Sequence, residues 1–242
     1  MKKILNIAVG TLLLGVVLYA KKVPDYDEGW HSYRPAIQMK ERAEERVESK
    51  KNALEILDKL LSPFEDIIEN ALNRNLSKMQ ISYENIKALT KSKLFKQSIS
   101  YGANEQILQD IDSIGNYIRK ENYAKVALLG TKVFKNITDN YEYSEYVLNQ
   151  IYIENLDGMG FEILSLIEKG DIDFTQIQSI VNEAKKEWMF LRDSINDENQ
   201  IDAFNLLFQG LIHAAVEHNT KMLKTLSSMD LALVDIIEKQ FQ

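Results

Sequence analysis

The sequence contains no cysteine, and its 242 residues include only three prolines and three histidines. Because cysteine is absent, the chain has no disulfide framework, no thiolate metal site, no thiol nucleophile and no cysteine for lipid attachment. Two of the three prolines, Pro24 and Pro35, lie near the start of the chain. Since proline is the strongest helix breaker, its scarcity after residue 35 predicts that nearly all of the remaining chain is helical.

Positive charge is also scarce, because 29 Lys and Arg residues stand against 36 Asp and Glu residues, giving a formal net charge of −7. Removal of the first 20 residues would remove Lys2 and Lys3 and take this charge to −9. Nucleic-acid affinity comes largely from Lys and Arg side chains that neutralise phosphates, so the sequence predicts no nucleic-acid binding. The length and the hydrophobic content of 45% predict one well-buried domain of about 200 residues.

Residues 4–20 carry no charge and follow Lys2 and Lys3, which is the order typical of a secretory signal or a signal anchor. A run of about 17 residues is at the lower edge of a membrane span and longer than most signal-peptide cores, so its length fits both alternatives. Ala20 places a small residue at the end of a possible cleavage site, which favours a cleaved signal. Both alternatives predict export to the periplasm or cell envelope, with residues 4–20 in the inner membrane if they are retained.

Residues 21–35 contain two prolines, a glycine and several aromatic residues between charges, and they show no helical period. This composition predicts an extended linker. Its aromatic and histidine side chains are not buried by any local pattern, so we predict that Trp30, His31 and Tyr33 contact a partner subunit, with the helical bundle itself and the membrane interface as alternatives.

From residue 36 to residue 242, apolar residues recur three and four positions apart, which predicts a single all-helical domain. Ser62 and Pro63 are typical of a helix start, so they predict a new helix there. The predicted helices cover residues 36–61, 67–73, 78–100, 105–119, 124–137, 145–155, 161–169, 175–195, 200–226 and 230–241.

Glycine and serine predict the joints between several of these helices. Gly102 is typical of a helix end, and residues 157–160, with the sequence Asp-Gly-Met-Gly, predict a loop. Ser227 and Ser228 before Asp230 predict a helix cap. Residues 118–123 and 167–172 each have the composition of a tight turn between antiparallel helices, although two copies are fewer than a solenoid needs. The predicted fold is therefore all-α, an antiparallel helical bundle or stacked helical hairpins preceded by the apolar export or anchor segment.

Two of the three histidines, His213 and His218, lie in the predicted helix 200–226. On one regular helix they point about 140° apart, so they cannot chelate one ion together. His213 and Glu217 are four residues apart on one face and are the candidate ligands for a divalent metal. The alternative is an exposed pair, because a metal site needs three or four ligands. His218 falls on the predicted apolar stripe, where it is either a core residue or a ligand contact.

Aromatic residues provide the candidate ligand pocket. Tyr141, Tyr143 and Tyr146 are close in sequence, and together with Trp188 and His218 they are candidates to line a pocket for an apolar or sugar ligand. Aromatic residues at helical spacing also commonly form the core, so the structural alternative stays open.

Known chemical motifs fail when they are checked position by position. A di-iron bundle needs Glu-x-x-His pairs, but positions 210 and 215 hold Gly and Ala. An EF-hand loop beginning at Asp171 fails at Gln176 and Asn182. No nucleotide-binding glycine motif occurs. We therefore expect no cofactor and no enzymatic activity.

The predicted function is that of an exported or membrane-tethered envelope protein. We expect it to act through protein–protein contacts, with a partner or with itself, as a structural or accessory subunit of a larger assembly. The alternative is a periplasmic helical-bundle carrier or sensor that binds a small ligand or a divalent metal through the candidates above.

Overall fold

The computed structural model describes the backbone of residues 30–241 and the side chains of residues 45–241. The chain divides into two compact units, Met1–Glu48 and Ser49–Gln242. In the first unit the described backbone is helical, and the side chains of residues 45–48 are exposed. The predicted signal or anchor, residues 1–20, and residues 21–29 of the predicted linker lie outside the described residues.

The described residues form α-helices connected by short turns and two short 3-10 helices, Ser144–Tyr146 and Arg192–Ser194. In this part of the chain there is no β-strand, and only an isolated bridge joins Ile99 to Tyr141. The prediction of an all-helical fold is confirmed. The α-helices are α1 (Trp30–Leu72), α2 (Leu76–Lys91), α3 (Lys93–Ser98), α4 (Tyr101–Arg119), α5 (Tyr123–Asp139), α6 (Leu148–Lys169), α7 (Phe174–Leu191), α8 (Glu198–Val216) and α9 (Thr220–Phe241).

Helix α1 is longer than predicted at both of its prolines. It begins at Trp30, so the prediction that residues 30–35 are extended is wrong. It also continues through Pro63, where a new helix start was predicted. Around Pro63, the side chains of Leu60, Leu61 and Phe64 are at most 1% exposed. Burial of three such side chains outweighs the roughly 3 kcal/mol that an interior proline costs a helix.

Four tight turns with a left-handed residue divide the helices into hairpins. The left-handed residues are Arg74, Glu121, Gly170 and His218, at intervals of 47, 49 and 48 residues. The two turns predicted at residues 118–123 and 167–172 are therefore the middle members of a set of four. The turns join α1 to α2, α4 to α5, α6 to α7 and α8 to α9.

Three of these turns share one hydrogen-bond pattern. Asn75, Asn122 and Asn219 follow the left-handed residue, and their backbone N–H groups donate to carbonyls five residues earlier at 2.8, 3.0 and 2.8 Å. Their side-chain oxygens accept the N–H of the residue three positions later, at 3.2, 3.2 and 3.0 Å. One asparagine thus closes the preceding helix and caps the following one.

The turn at Glu121 gives a testable consequence. Its φ of 51° is unfavourable for a residue with a Cβ atom, so Glu121→Gly is expected to raise the free energy of unfolding by about 1 kcal/mol. Asn122→Ala is the opposed variant, because it removes the helix cap and is expected to cost about 1 kcal/mol. Urea denaturation measures both changes. A loss of stability in Glu121→Gly would contradict this account of the turn.

Several small residues that were predicted to lie between helices are found inside helices. Gly102 is in α4, residues 157–160 are in the middle of α6, and Ser227 and Ser228 are in α9. The predicted helix 200–226 is in fact two helices, because the chain turns at His218. Packing explains why a glycine lies inside α6 at position 160, since an added Cβ would lie 2.6 Å from Leu231 Cδ2.

The buried side chains form two hydrophobic cores that share α6. Ile151 and Phe161 of α6 belong to the first core, whereas Leu156 and Met159 belong to the second. Helix α6 therefore contributes opposite faces to two sets of neighbours. The first core, from α1–α6, includes Leu57, Leu60, Phe64, Ile67, Phe95 and Phe134, and the second, from α6–α9, includes Trp188, Phe204, Phe208, Leu211, Leu223 and Val234.

Candidate functional site

The structure places the predicted aromatic pocket residues in different surroundings. Tyr141 lies in the first core, where its hydroxyl donates to the carbonyl of Ala53 at 2.6 Å, and its ring packs edge-on against Tyr143. Trp188 lies in the second core, where its Nε1–H donates to Asn205 Oδ1 at 3.1 Å. Tyr141 and Trp188 are therefore core residues with satisfied polar atoms.

Of the other three pocket candidates, Tyr143 is partly buried against the first core, whereas Tyr146 and His218 are on the surface. Tyr146 is 40% exposed in a 3-10 helix. His218 is exposed in the turn between α8 and α9, and its ring stacks on Phe174 with centroids 4.3 Å apart. The prediction that His218 lies on the inward stripe of one helix is wrong, because α8 ends at Val216 and the period is interrupted there.

The predicted metal ligands His213 and Glu217 are both exposed at the end of α8, and the N–H of Glu217 donates to the carbonyl of His213 at 2.9 Å. Among the residues that the structure describes, no three His, Asp or Glu side chains are grouped to hold a metal ion. The predicted partner contacts Trp30, His31 and Tyr33 belong to the start of α1, where the side chains lie outside the described residues.

The most unusual chemistry of the described residues is a group of carboxylates between α1, α6 and α9. In α6, Gln150, Glu154 and Asp157 are four and three residues apart, so they share one face of the helix. Gln150 Nε2 donates to Glu154 Oε1 at 2.7 Å and to Glu238 Oε1 of α9 at 3.4 Å. Glu65 of α1 also acts on Glu154 through its charge. We call Glu65, Gln150, Glu154, Asp157 and Glu238 the carboxylate cluster.

Two members of the carboxylate cluster are almost fully buried. The exposed fraction is 8% for Glu154 and 6% for Gln150, and Gln150 Oε1 has no hydrogen-bond partner in the part of the chain that the structure describes. Within the described part of the chain, Glu65, Glu154 and Asp157 form no ion pair with Lys, Arg or His; the ion pairs found there join other residues. The cluster thus brings acidic groups together, and within the described residues no basic side chain pairs with these three carboxylates.

Burial in this setting favours the protonated acids. Burial, followed by the charge of Glu65, raises the pKa of Glu154 to about 8. Burial, followed by the charge of Glu238, raises the pKa of Glu65 to about 7. The pKa of Asp157 is raised well above its ordinary value, again mainly by burial and then by the charge of Glu154. At neutral pH the cluster therefore holds protons.

A neighbouring carboxylate lies deeper still. Asp230 of α9 is 0% exposed, and among the described residues the backbone of Gly160 is the only hydrogen-bonding group that acts on its carboxylate. Burial raises the pKa of Asp230 well above its ordinary value. Ser227, one turn earlier, is also fully buried and its hydroxyl has no partner. The contact between α6 and α9 is thus rich in polar atoms that are held away from water.

A second feature is an exposed apolar area formed by α6 and α7. Phe190 is 67% exposed, and its ring stacks on Tyr152 with centroids 5.8 Å apart. Leu148, one turn before Tyr152, is 50% exposed. Tyr146 and Leu148 also line a shallow depression of about 220 Å³. We call Tyr146, Leu148, Tyr152 and Phe190 the aromatic surface.

Comparison of the chain with protein-family models, curated proteins and solved structures finds no match. Across the described residues, none of the helices combines the length and the apolar character that a membrane crossing requires.

Sequence reasoning missed the carboxylate cluster, although a signal for one part of it is present. Glu154 and Asp157 alternate with Ile153 and Leu156 in a helix whose next residues are also apolar. Acidic residues within an apolar helix predict buried carboxyls when both faces of that helix are covered. The contributions of Glu65 and Glu238 depend on the approach of α1 and α9, which sequence spacing does not predict.

Proposed function

We propose that the chain is an exported or membrane-tethered envelope protein without catalytic activity. It acts through protein–protein contacts as a structural or accessory subunit of a larger assembly. Export is supported by the order of Lys2, Lys3 and the uncharged residues 4–20. The observation that carries the proposal of a protein contact is the aromatic surface, where an exposed phenylalanine stacks on a tyrosine beside an exposed leucine.

The chemistry of the aromatic surface fits another protein chain as its occupant. Large exposed apolar side chains that adjoin one another are typical of interaction sites, and aromatic residues are enriched at the centres of interfaces. The stack between Phe190 and Tyr152 and the hydrogen bond from Asn149 Nδ2 to Ser194 Oγ, at 3.1 Å, fix α7 against the start of α6. A rigid surface loses little conformational entropy when a partner binds.

Substitution of Phe190 tests this role. Phe190→Ser is expected to weaken binding of the partner at least tenfold, because interface aromatic residues commonly contribute more than about 1.4 kcal/mol. Stoichiometric co-purification from cell envelopes, followed by a binding titration with the identified partner, measures the change. Leu206→Ser is the matched control, since Leu206 is 66% exposed on α8 and outside the aromatic surface.

The results separate the possible occupants. Equal recovery of the partner with both variants would refute a role for the aromatic surface. A concentration-dependent dimer that Phe190→Ser abolishes, without any other protein bound, would identify a second copy of the chain as the occupant. N-terminal sequencing of the mature protein separates a cleaved signal, which leaves Lys21 first, from a retained anchor.

The carboxylate cluster favours a second candidate, a periplasmic carrier or sensor that binds a small ligand between its helices. The specific observation is the buried Gln150 Oε1, an acceptor without a donor beside Glu154. A thermal-shift screen with small metabolites tests this candidate. No stabilisation by any of them would exclude it for the compounds screened.

A further inference from the structure

The carboxylate cluster joins three helices through groups that repel one another when they are ionised. Glu154 lies on α6, and the groups that act on its charge come from α1 and α9 as well as from α6 itself. Helix α9 packs directly along α6. A change of charge at Glu154 therefore acts across the contacts that hold the two hydrophobic cores together.

We propose that protonation of the carboxylate cluster holds α1 and α9 against α6, and that loss of these protons loosens both contacts. The ligand of this site is thus the proton, and its effect is a conformational response to pH. The inference stands independently of the proposed protein partner, because it uses none of the residues of the aromatic surface.

The first step of the argument is the hydrogen bonding of Gln150. Its amide nitrogen donates to Glu154 Oε1 and to Glu238 Oε1, and so joins α6 to α9. Its amide oxygen is buried without a donor. A proton on Glu154 adds a donor to this acceptor-rich site and removes one negative charge, whereas ionised Glu154 adds neither.

The second step is the identity of the facing charges. From α1, Glu65 and Asp58 raise the pKa of Glu154, from α9 Glu238 does the same, and the hydrogen bond from Gln150 lowers it. Asp157, on the same face of α6, is also influenced by Asp230 and Asp235 of α9. The largest charge effects on Glu154 and on Asp157 all come from these carboxylates. Ionisation is therefore opposed by groups on α1, on α9 and on α6 itself.

The third step is the direction of the pH dependence. The pKa of Glu154 rises from 4.5 to about 8 and that of Glu65 rises from 4.5 to about 7, so the folded protein binds protons that the unfolded chain has released. The stabilisation from these protons is complete below about pH 4.5 and is lost as the pH rises through 7 and 8. The two groups thus titrate in the folded protein around neutral pH.

The test is thermal unfolding of the full chain between about pH 5.5 and pH 8.5. The unfolding temperature of the wild type is expected to fall by about 5 °C or more across this range. Glu154→Gln keeps the shape of the protonated acid but cannot ionise. It is therefore expected to show a smaller fall and to melt above the wild type at the upper pH.

The matched control is Glu162→Gln, which is the same change on the same helix. Glu162 pairs with Lys135 at 2.7 Å, so its replacement is expected to leave the pH dependence unchanged and not to raise the melting temperature at the upper pH. Glu65→Gln is a second test variant on α1, in case Glu154→Gln folds poorly. Hydrogen exchange gives a further readout: after correction for the intrinsic rise of exchange rates with pH, the protection factors of wild-type α9 are expected to fall at the upper pH.

Three results would overturn the proposal. The first is a wild-type unfolding temperature that stays flat or rises with pH, and the second is lower stability of both Gln variants at both pH values. The third is a rise in the melting temperature of the wild type, but not of Glu154→Gln, when about 1 mM Ca²⁺ or Mn²⁺ is added at the upper pH. That result would assign the carboxylate cluster to a metal ion instead of the proton.

Discussion

Replacing Gly160 with valine is expected to lower the free energy of unfolding by about 3 kcal/mol, because no space exists for a side chain where α6 meets α9. A Cβ at this position would lie 2.6 Å from Leu231 Cδ2 and 2.8 Å from Asp230 Oδ2. Leu231 packs against the first core and Asp230 is 0% exposed, so a side chain at position 160 would have to displace both of them.

The matched control is Gly102→Val in α4, where no atom lies within 4 Å of the position that a Cβ would take. Both changes replace a helical glycine with the same residue, so intrinsic helix propensity cancels in the comparison. Urea denaturation of the two variants measures the difference. Equal stability would mean that the contact between α6 and α9 adjusts to an added side chain at little cost.

Gly160 also shows why the joints between helices were predicted poorly. Residues 157–160 have the composition of a loop, and sequence alone does not reveal that glycine is required there by Leu231, some 70 residues later. Conversely, the actual turns at Arg74, Glu121 and His218 use residues with a Cβ in the left-handed conformation. The sequence feature that these three turns share is the asparagine that follows each left-handed residue. It is recognised only when the three turns are compared with one another.

The all-helical class was predictable, because the spacing of apolar residues and the scarcity of proline are local properties of the sequence. The division into two cores was not. Tyr141, which lies between α5 and α6, and Trp188, within α7, were both candidates for one pocket, yet they lie in different cores. Core membership depends on which helices become neighbours, so a pocket that combines distant aromatic residues cannot be predicted from periodicity.

The same limit applies to the carboxylate cluster. The sequence is sufficient to place Gln150 and Glu154 on one face of a helix, because their spacing follows the helical period, whereas Asp157 fell in the predicted loop 157–160. The sequence does not show that Glu65 and Glu238 face them, and their proximity is what sets the charge of the cluster. Local spacing therefore accounts for two of the five members, and the other three depend on tertiary structure.

Phe64→Ala is expected to destabilise both hydrophobic cores together, although Phe64 belongs only to the first. Phe64 is 0% exposed, and removal of its ring is expected to cost about 3–5 kcal/mol. Helix α6 gives Phe161 to the first core and Leu156 to the second, so unfolding of either core removes the packing on one face of α6. The two cores should then unfold in one transition.

The chain provides its own probe for this coupling, because Trp188 is buried in the second core and the other tryptophan is Trp30. In a Trp30→Phe background, fluorescence reports the second core alone, while far-ultraviolet circular dichroism reports all helices. Phe64→Ala is expected to lower both unfolding temperatures equally, by about 6 °C or more. Leu206→Ala, at an exposed leucine of α8, is the control and is expected to change neither. If Trp188 kept its wild-type transition in Phe64→Ala, the cores would be independent and α6 would serve only as a connection between them.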